Sequence, residues 1–154
     1  MEFGGRYHFA ADRSAVWAAL NDAAVLKAVI PGCERLEWTS PTTLALKVRV
    51  GLGPLRPAFS GELGLSDIHP AERYTLSGRG KGLVGFAQAA AEIALADAPD
   101  GGTVLGFVAD GHADGGIMRL GRALIGNSAQ QIIDGFFAAI GDRMGTIVTT
   151  LPPG

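Results

Sequence analysis

In TLALKVRVGLG, residues 43 to 53, Leu44, Leu46, Val48, Val50 and Leu52 alternate with Ala45, Lys47, Arg49 and Gly51. A period of two puts the large apolar side chains on one face of a strand and leaves the other face to water. Such a strand is not stable alone, because its apolar face has to be covered and its edges paired. Pairing partners follow in the sequence. AFSGELGLSD repeats the alternation with Phe59, Leu63 and Leu65, and RYTLSGRG repeats it with Tyr74, Leu76 and Gly78. PDGG at 99 to 102 reads as a hairpin turn between a strand ending near Asp97 and one holding Leu105 and Phe107. From Cys33 to Gly115 the pattern is strand after strand, about six in antiparallel succession.

The cover for the apolar face comes from both ends of the chain. Residues 2 to 10 read as an opening strand, after which Asp12 caps a short helix over Arg13 to Leu20 with Ala15, Val16, Ala19 and Leu20 apolar. Asn21 or Asp22 caps a second helix through Leu26 to Ile30, which stops at Pro31-Gly32 because proline cannot continue the helical bonding. After Gly116 the period lengthens to three and four over Ile117, Leu120, Leu124, Ile132, Phe136, Ile140, Met144, Ile147 and Leu151. Arg119, Arg122, Gln130, Asp134, Asp142 and Arg143 fall largely elsewhere, so this segment reads as one long amphipathic C-terminal helix. The architecture is α+β, an antiparallel sheet with helices on one side.

A length of 154 residues with 47% hydrophobic content suits a single domain, expected over residues 1–150. Thirteen basic residues against fifteen acidic, with no basic run, argue against nucleic acid as a partner. One cysteine excludes an internal disulfide framework, and no Cys or His pairs stand at zinc-ligand spacing. MEFGGRYHFA is too polar for a signal peptide, and no apolar run approaches the roughly 18 residues needed to span a bilayer. The expected location is therefore cytoplasmic. The 23 glycines are spread over the whole chain, and glycine in strands marks bends, bulges and close approaches. They point to a strongly curved sheet with a hollow. Those at 116, 121, 126, 135, 141 and 145 weaken the last helix, which fits space for a ligand and close approach of the sheet equally well.

Cys33 follows a helix C-terminus and precedes Glu34, an environment that disfavours the thiolate and reads as packing rather than nucleophilic chemistry. His8, His69 and His112 are scattered, and DGHADG reads as a solvated strand end rather than a metal or acid-base site. Gly80, Gly82 and Gly85 stand at G-x-G-x-x-G spacing, but a dinucleotide fold needs repeated βαβ units, so residues 86 to 96 are read as a strand. No nucleophile elbow and no carboxylate pair in an apolar setting is present. No catalytic or metal-binding residue is assigned, and the chain is read as non-enzymatic.

VWAALND at 16 to 22, IPGCERLE at 30 to 37, YTLSGRGKG at 74 to 82, GFAQAAAEIAL at 85 to 95 and GGTVLGFVADG at 101 to 111 resemble stretches of the family of the carbon monoxide dehydrogenase G subunit (CoxG), in order over nearly the whole chain. That family belongs to the START-like, helix-grip superfamily. The resemblance implies a curved seven-stranded antiparallel sheet around a long C-terminal helix, two short helices after the first strand, and an apolar cavity between sheet and helix. It further implies an accessory protein for a molybdenum CO dehydrogenase or related hydroxylase, linking that enzyme to the inner face of the cell membrane by binding a respiratory quinone, menaquinone or ubiquinone. Longer relatives continue into a Pro/Ala-rich tail and a hydrophobic segment, so residues 151–154 are expected to begin a linker. No covalently bound cofactor is expected; the quinone is the expected ligand. Other readings are a ligand-free docking module and a START-like cyclase or hydrolase.

The expected lining is Leu26 and Ile30 at the mouth, Leu46, Val48, Phe59, Leu76, Phe86 and Phe107 on the sheet, and Ile132, Phe136 and Ile140 on the helix. Tyr74, Gln88 and Gln131 are the polar candidates to meet a carbonyl. Burying ~300 Å² of isoprenoid tail would contribute about 7 kcal/mol before ordering costs. A sealed empty cavity of ~400 Å³ would cost on the order of 10 kcal/mol, so an open or occupied cleft is expected.

Overall fold

The computed structural model describes residues 2–49, 54, 58–82, 85–115 and 133–152. The chain opens with strand β1 (Glu2–Phe9), then helix α1 (Arg13–Leu20) and helix α2 (Ala23–Val29). Strands β2 (Cys33–Ser40), β3 (Thr43–Arg49), β4 (Ala58–His69), β5 (Arg73–Gly82), β6 (Gly85–Asp97) and β7 (Thr103–Gly115) follow. A helix over 133–144, here α3, leads into strand β8 (Val148–Leu151). All eight strands form one antiparallel sheet in the order β2-β3-β4-β5-β6-β7-β1-β8.

Each short helix starts where a carboxylate satisfies its free amides. Asp12 accepts from Ala15 N at 2.8 Å, and Asp22 accepts from Ala24 N at 2.9 Å. Gly32 turns the chain from α2 into β2 with φ of +72°, and a side chain there would run into the Arg49 carbonyl. Only glycine fits a left-handed position against a neighbouring backbone. Arg49 N in turn donates to Gly32 O at 2.9 Å, which ties the turn to β3.

Two expectations about the C-terminus need correction. The last helix does not run to Leu151: it ends at residue 144, and 148–151 pair with β1 as an eighth strand, Phe9 opposite Val148 and Arg6 opposite Leu151. The sheet thus has one strand more than the seven expected, and Leu151 is the last residue of that strand. The stop is a Schellman motif, with Gly145 at φ +73°, Thr146 N bonded to Gly141 O at 2.9 Å and Gly145 N to Asp142 O at 3.2 Å. Ile147, counted as a helical apolar position, is 74% exposed beyond that turn. The part of the expected helix over 117–132 lies outside the described residues.

β6 is a strand despite five alanines from Ala87 to Ala94, because β7 pairs along its whole length and β5 from Gly85 to Ala94, and that pairing outweighs a poor local propensity. The core lies between one face of the sheet and the three helices. Tyr7, Phe9, Leu44, Leu105, Val16 and Ile140 are its most deeply buried large side chains.

Candidate functional site

Along β3 and the three neighbouring strands β5, β6 and β7 the helix-covered face changes character from one end to the other, whereas β4, between β3 and β5, buries Phe59 and leaves Leu63 and Leu65 half-buried. On β3, Leu44 is sealed, while Leu46 and Val48 are half-buried. On β5, Tyr74 is sealed and Leu76, Gly78 and Gly80 are not. On β6, Leu95 and Ile93 are sealed, Ala91 is half-buried and Ala89 is exposed. On β7, Leu105 is sealed, while Phe107, Ala109 and Gly111 are half-buried. The register aligns the change on β5 and β6, where Tyr74 pairs with Ile93 and Leu76 with Ala91, and continues it to half-buried Phe107 and Ala109 on β7; on β3 the change falls elsewhere, since sealed Leu44 stands in the row of Leu63 and Gly78. Beyond Leu76 and Ala91, Gly78 lies opposite Ala89, and Ala89 opposite Gly111.

The physical consequence is a face with a packed half and an open half. Leucine, isoleucine and tyrosine fill the first against α1 and α3; the second holds half-buried Leu46, Val48 and Leu76 together with alanine and glycine, whose small side chains project little from β5, β6 and β7. Among the described residues, a Cβ added at Gly111 would meet Ala89 Cβ at 3.7 Å and the Gln88 carbonyl oxygen at 3.8 Å, both ordinary contacts. None of the open-half sheet positions named above is charged, which suits an apolar guest.

Helix α1 is held over the packed half. The Arg13 guanidinium donates to Asp97 at 2.9 Å and to Ala71 O at 3.1 Å, and Trp17 meets Tyr74 edge-on with ring centroids 5.1 Å apart. Burial pushes the Tyr74 hydroxyl well above the usual tyrosine range, so it remains a neutral O–H. From α3, Phe137 stacks at 4.5 Å on Tyr7 and 5.8 Å from Phe107, and Ile140 is fully buried. The Tyr7 phenol donates to Asp134 Oδ1 at 2.5 Å. Gly5, on the same face of β1, makes room for it: a Cβ there would stand 2.9 Å from the Tyr7 oxygen.

The expected lining residues divide three ways. Leu46, Val48, Leu76, Phe107 and Phe136 are half-buried, as is Ile30, the C-cap of α2. Leu26 and Ile140 sit in the sealed core cluster, and Phe59 is buried opposite Val48 but apart from that cluster. Ile132, Gln131 and the side chain of Phe86 lie outside the described residues. Gln88 is misplaced by the sequence reading: it alternates with Ala89 and so lies on the outer face, exposed, paired with Arg79 and His112.

The sequence reading missed Phe137, because a strict 132-136-140 ladder selects Phe136 alone, and it placed Asp134 on the wet side of the helix. The helix buries a broader stripe than that ladder, and a polar partner across the interface is not visible in periodicity. Gly5, two residues before Tyr7, was the available signal that a large side chain needed space.

Cys33 is half-buried with its thiol 3.4 Å from Arg35 O. Burial pushes its pKa up, opposed by an Arg35 backbone contact and the Lys27 charge, so the thiolate is disfavoured. Gly80, Gly82 and Gly85 belong to paired strands β5 and β6, not to a phosphate loop opening a helix. Among the described residues no three His, Cys, Asp or Glu side chains gather to hold a metal ion, and no helix is long and apolar enough to cross a membrane. The side chains of His112 and Asp114 lie outside the described residues.

The sequence profile of the family described as the carbon monoxide dehydrogenase G subunit (CoxG) matches residues 5–145. A search of the curated proteins finds no match. Among solved structures, a conserved protein from Geobacillus kaustophilus is similar with a TM-score of 0.85 at 23% identity, over 96% of this chain and 99% of that one. A protein from Chromobacterium violaceum is similar with a TM-score of 0.71 at 15% identity, over 93% and 96%. The ZhuI aromatase/cyclase from Streptomyces sp. R1128 is similar with a TM-score of 0.70 at 11% identity, over 94% and 93%. At these identities the likeness is one of fold: a helix-grip sheet around a C-terminal helix.

Proposed function

The chain belongs to the CoxG family, that of the carbon monoxide dehydrogenase G subunit, and from that premise we propose that it is a non-enzymatic carrier that holds a respiratory quinone or a closely similar lipid in the open half of its sheet. The observation that carries this reading is the change from sealed large residues to accessible alanine and glycine along the neighbouring strands β5, β6 and β7. An isoprenoid tail needs apolar surface without charge, and burial of such a tail against Leu46, Leu76, Ala89, Ala109 and Phe136 supplies affinity at roughly 25 cal/mol per Å². A bound quinone would supply two-electron redox chemistry of its own; the residues around it bind, orient and exclude water.

The family name supports a molybdenum CO dehydrogenase or a related hydroxylase as the partner enzyme. In this role the protein would carry the quinone between that enzyme and the inner face of the membrane, touching the bilayer peripherally.

Solvent extraction of the purified protein followed by mass spectrometry tests the reading. An isoprenoid quinone in the extract, and a raised melting temperature when menaquinone or ubiquinone is added to the stripped protein, are the expected results. If nothing lipophilic co-purifies and added quinone leaves the melting temperature unmoved, the protein is a docking module with a filled core.

A further inference from the structure

Two phenols face the helix side of the sheet, and their hydrogens have different fates. The Tyr7 hydrogen is committed to Asp134 at 2.5 Å. Tyr74 is only 5% exposed, yet its hydroxyl makes no hydrogen bond to any described residue, and it is not among atoms sealed from solvent without a partner, of which there are none among the described residues. A nearly buried hydroxyl without a protein acceptor is costly unless something else accepts from it.

Its position says what that acceptor would belong to. Tyr74 pairs with Ile93 in the last sealed row, and two residues on, Leu76 and Ala91 form the first open row. The Trp17 ring braces it edge-on, which limits how far it can turn away. Of the polar groups that the sequence offered for meeting a carbonyl, Gln131 lies outside the described residues, Gln88 lies on the outer face, and Tyr74 lies on the inner one.

Resting on the carrier reading above, we propose that Tyr74 is the hydrogen-bond donor of the site: its O–H is given to a carbonyl-type acceptor at the polar end of the bound lipid, which lies at the boundary between the packed and open halves, with the hydrocarbon over the alanine and glycine rows. The site thereby selects apolar molecules that carry an acceptor over equally apolar ones that do not. Burial raises the Tyr74 pKa, which keeps its O–H protonated and able to donate at neutral pH.

The test compares 2-methyl-1,4-naphthoquinone with 2-methylnaphthalene, its carbonyl-free counterpart, by isothermal titration of wild type and Tyr74→Phe. The expected result is a quinone preference of roughly fivefold in wild type that disappears in Tyr74→Phe while naphthalene binding is unchanged. A preference that survives in Tyr74→Phe, or an equal loss for both probes, overturns the proposal and leaves the carrier reading standing. Absence of binding by wild type to either probe overturns the carrier reading and this proposal with it. The infrared carbonyl stretch of the quinone provides a check independent of the variant's folding: a shift to lower frequency on binding wild type is expected, and an unshifted band overturns the donor role.

Discussion

Tyr7 and Asp134, 127 positions apart, are joined by a hydrogen bond of 2.5 Å from the phenol on β1 to the carboxylate on α3. Tyr7 is buried and stacks on Phe137, so one residue of the first strand fixes both the height and the rotation of the last helix. Hydrogen bonds to charged groups contribute about 1.5–3 kcal/mol. Tyr7→Phe is accordingly expected to lower unfolding free energy by about 2 kcal/mol with the stacking retained. Denaturant melts of Tyr7→Phe, Asp134→Asn and the double variant should give a coupling clearly above about 0.5 kcal/mol; additive losses would mean that the bond does not tie helix to sheet.

Ala89 lies between Gly78 and Gly111 on the open half, so a large ring placed there meets no side chain on either neighbouring strand position. Ala89→Phe should weaken binding of an apolar fluorescent probe at least about tenfold while the melting temperature stays level or rises, since the ring occupies space instead of displacing packed atoms. Ala90→Phe, on the outer face opposite Ser77 and Asp110, is the control and should bind the probe as wild type does.

Two glycines of α3 answer differently to the same substitution. A Cβ at Gly141 would collide with Val148 Cγ2 and stand 3.2 Å from Thr146 O, so Gly141→Ala should cost about 1–3 kcal/mol despite alanine's better helix propensity. Among the described residues no atom lies within 4 Å of a Cβ at Gly135, so Gly135→Ala should stabilise by roughly 0.5–1 kcal/mol. Urea melts of the two variants should move in opposite directions; a loss at Gly135 would show that this glycine serves something other than helix geometry.

The Asp100 carboxylate in the β6–β7 hairpin accepts from His8 and from Gly102 N, at 3.1 Å and 2.9 Å, and these bonds hold its pKa below the ordinary 3.8. A depressed folded pKa contributes stability above the unfolded value, and that contribution is lost as pH falls through the folded value. The melting-temperature gap between wild type and Asp100→Asn should therefore be present at neutral pH and close as the pH falls below 3.8. A gap that is constant down to the acid limit would refute the assignment.

Burial raises the Cys33 pKa, so its alkylation by iodoacetamide near pH 8 should be slower than that of free cysteine, because less thiolate is present. A rate faster than free cysteine would reopen the nucleophile reading.

Local and periodic features were legible in the chain itself. Asp12 and Asp22 as caps, the stop at Pro31-Gly32, the alternation in β3 to β5 and the hairpin at 99 to 102 all rest on interactions between residues a few positions apart. Even the alanine-rich β6 was readable once its neighbours were strands. The end of α3 was written locally too, in Gly145, but an apolar repeat that continued by coincidence through Ile147 and Leu151 masked it.

What residue order could not settle was which large side chains would stop short of filling the inner face. That Tyr7 would reach Asp134, that Gln88 would turn outward, and that the neighbouring strands β5, β6 and β7 would change from large to small along one face depend on register between distant segments. A shift of one residue in pairing exchanges the two faces of a strand. Alternation decides that a strand has two faces; only its neighbours decide which face looks at the helix and where along it the packing ends.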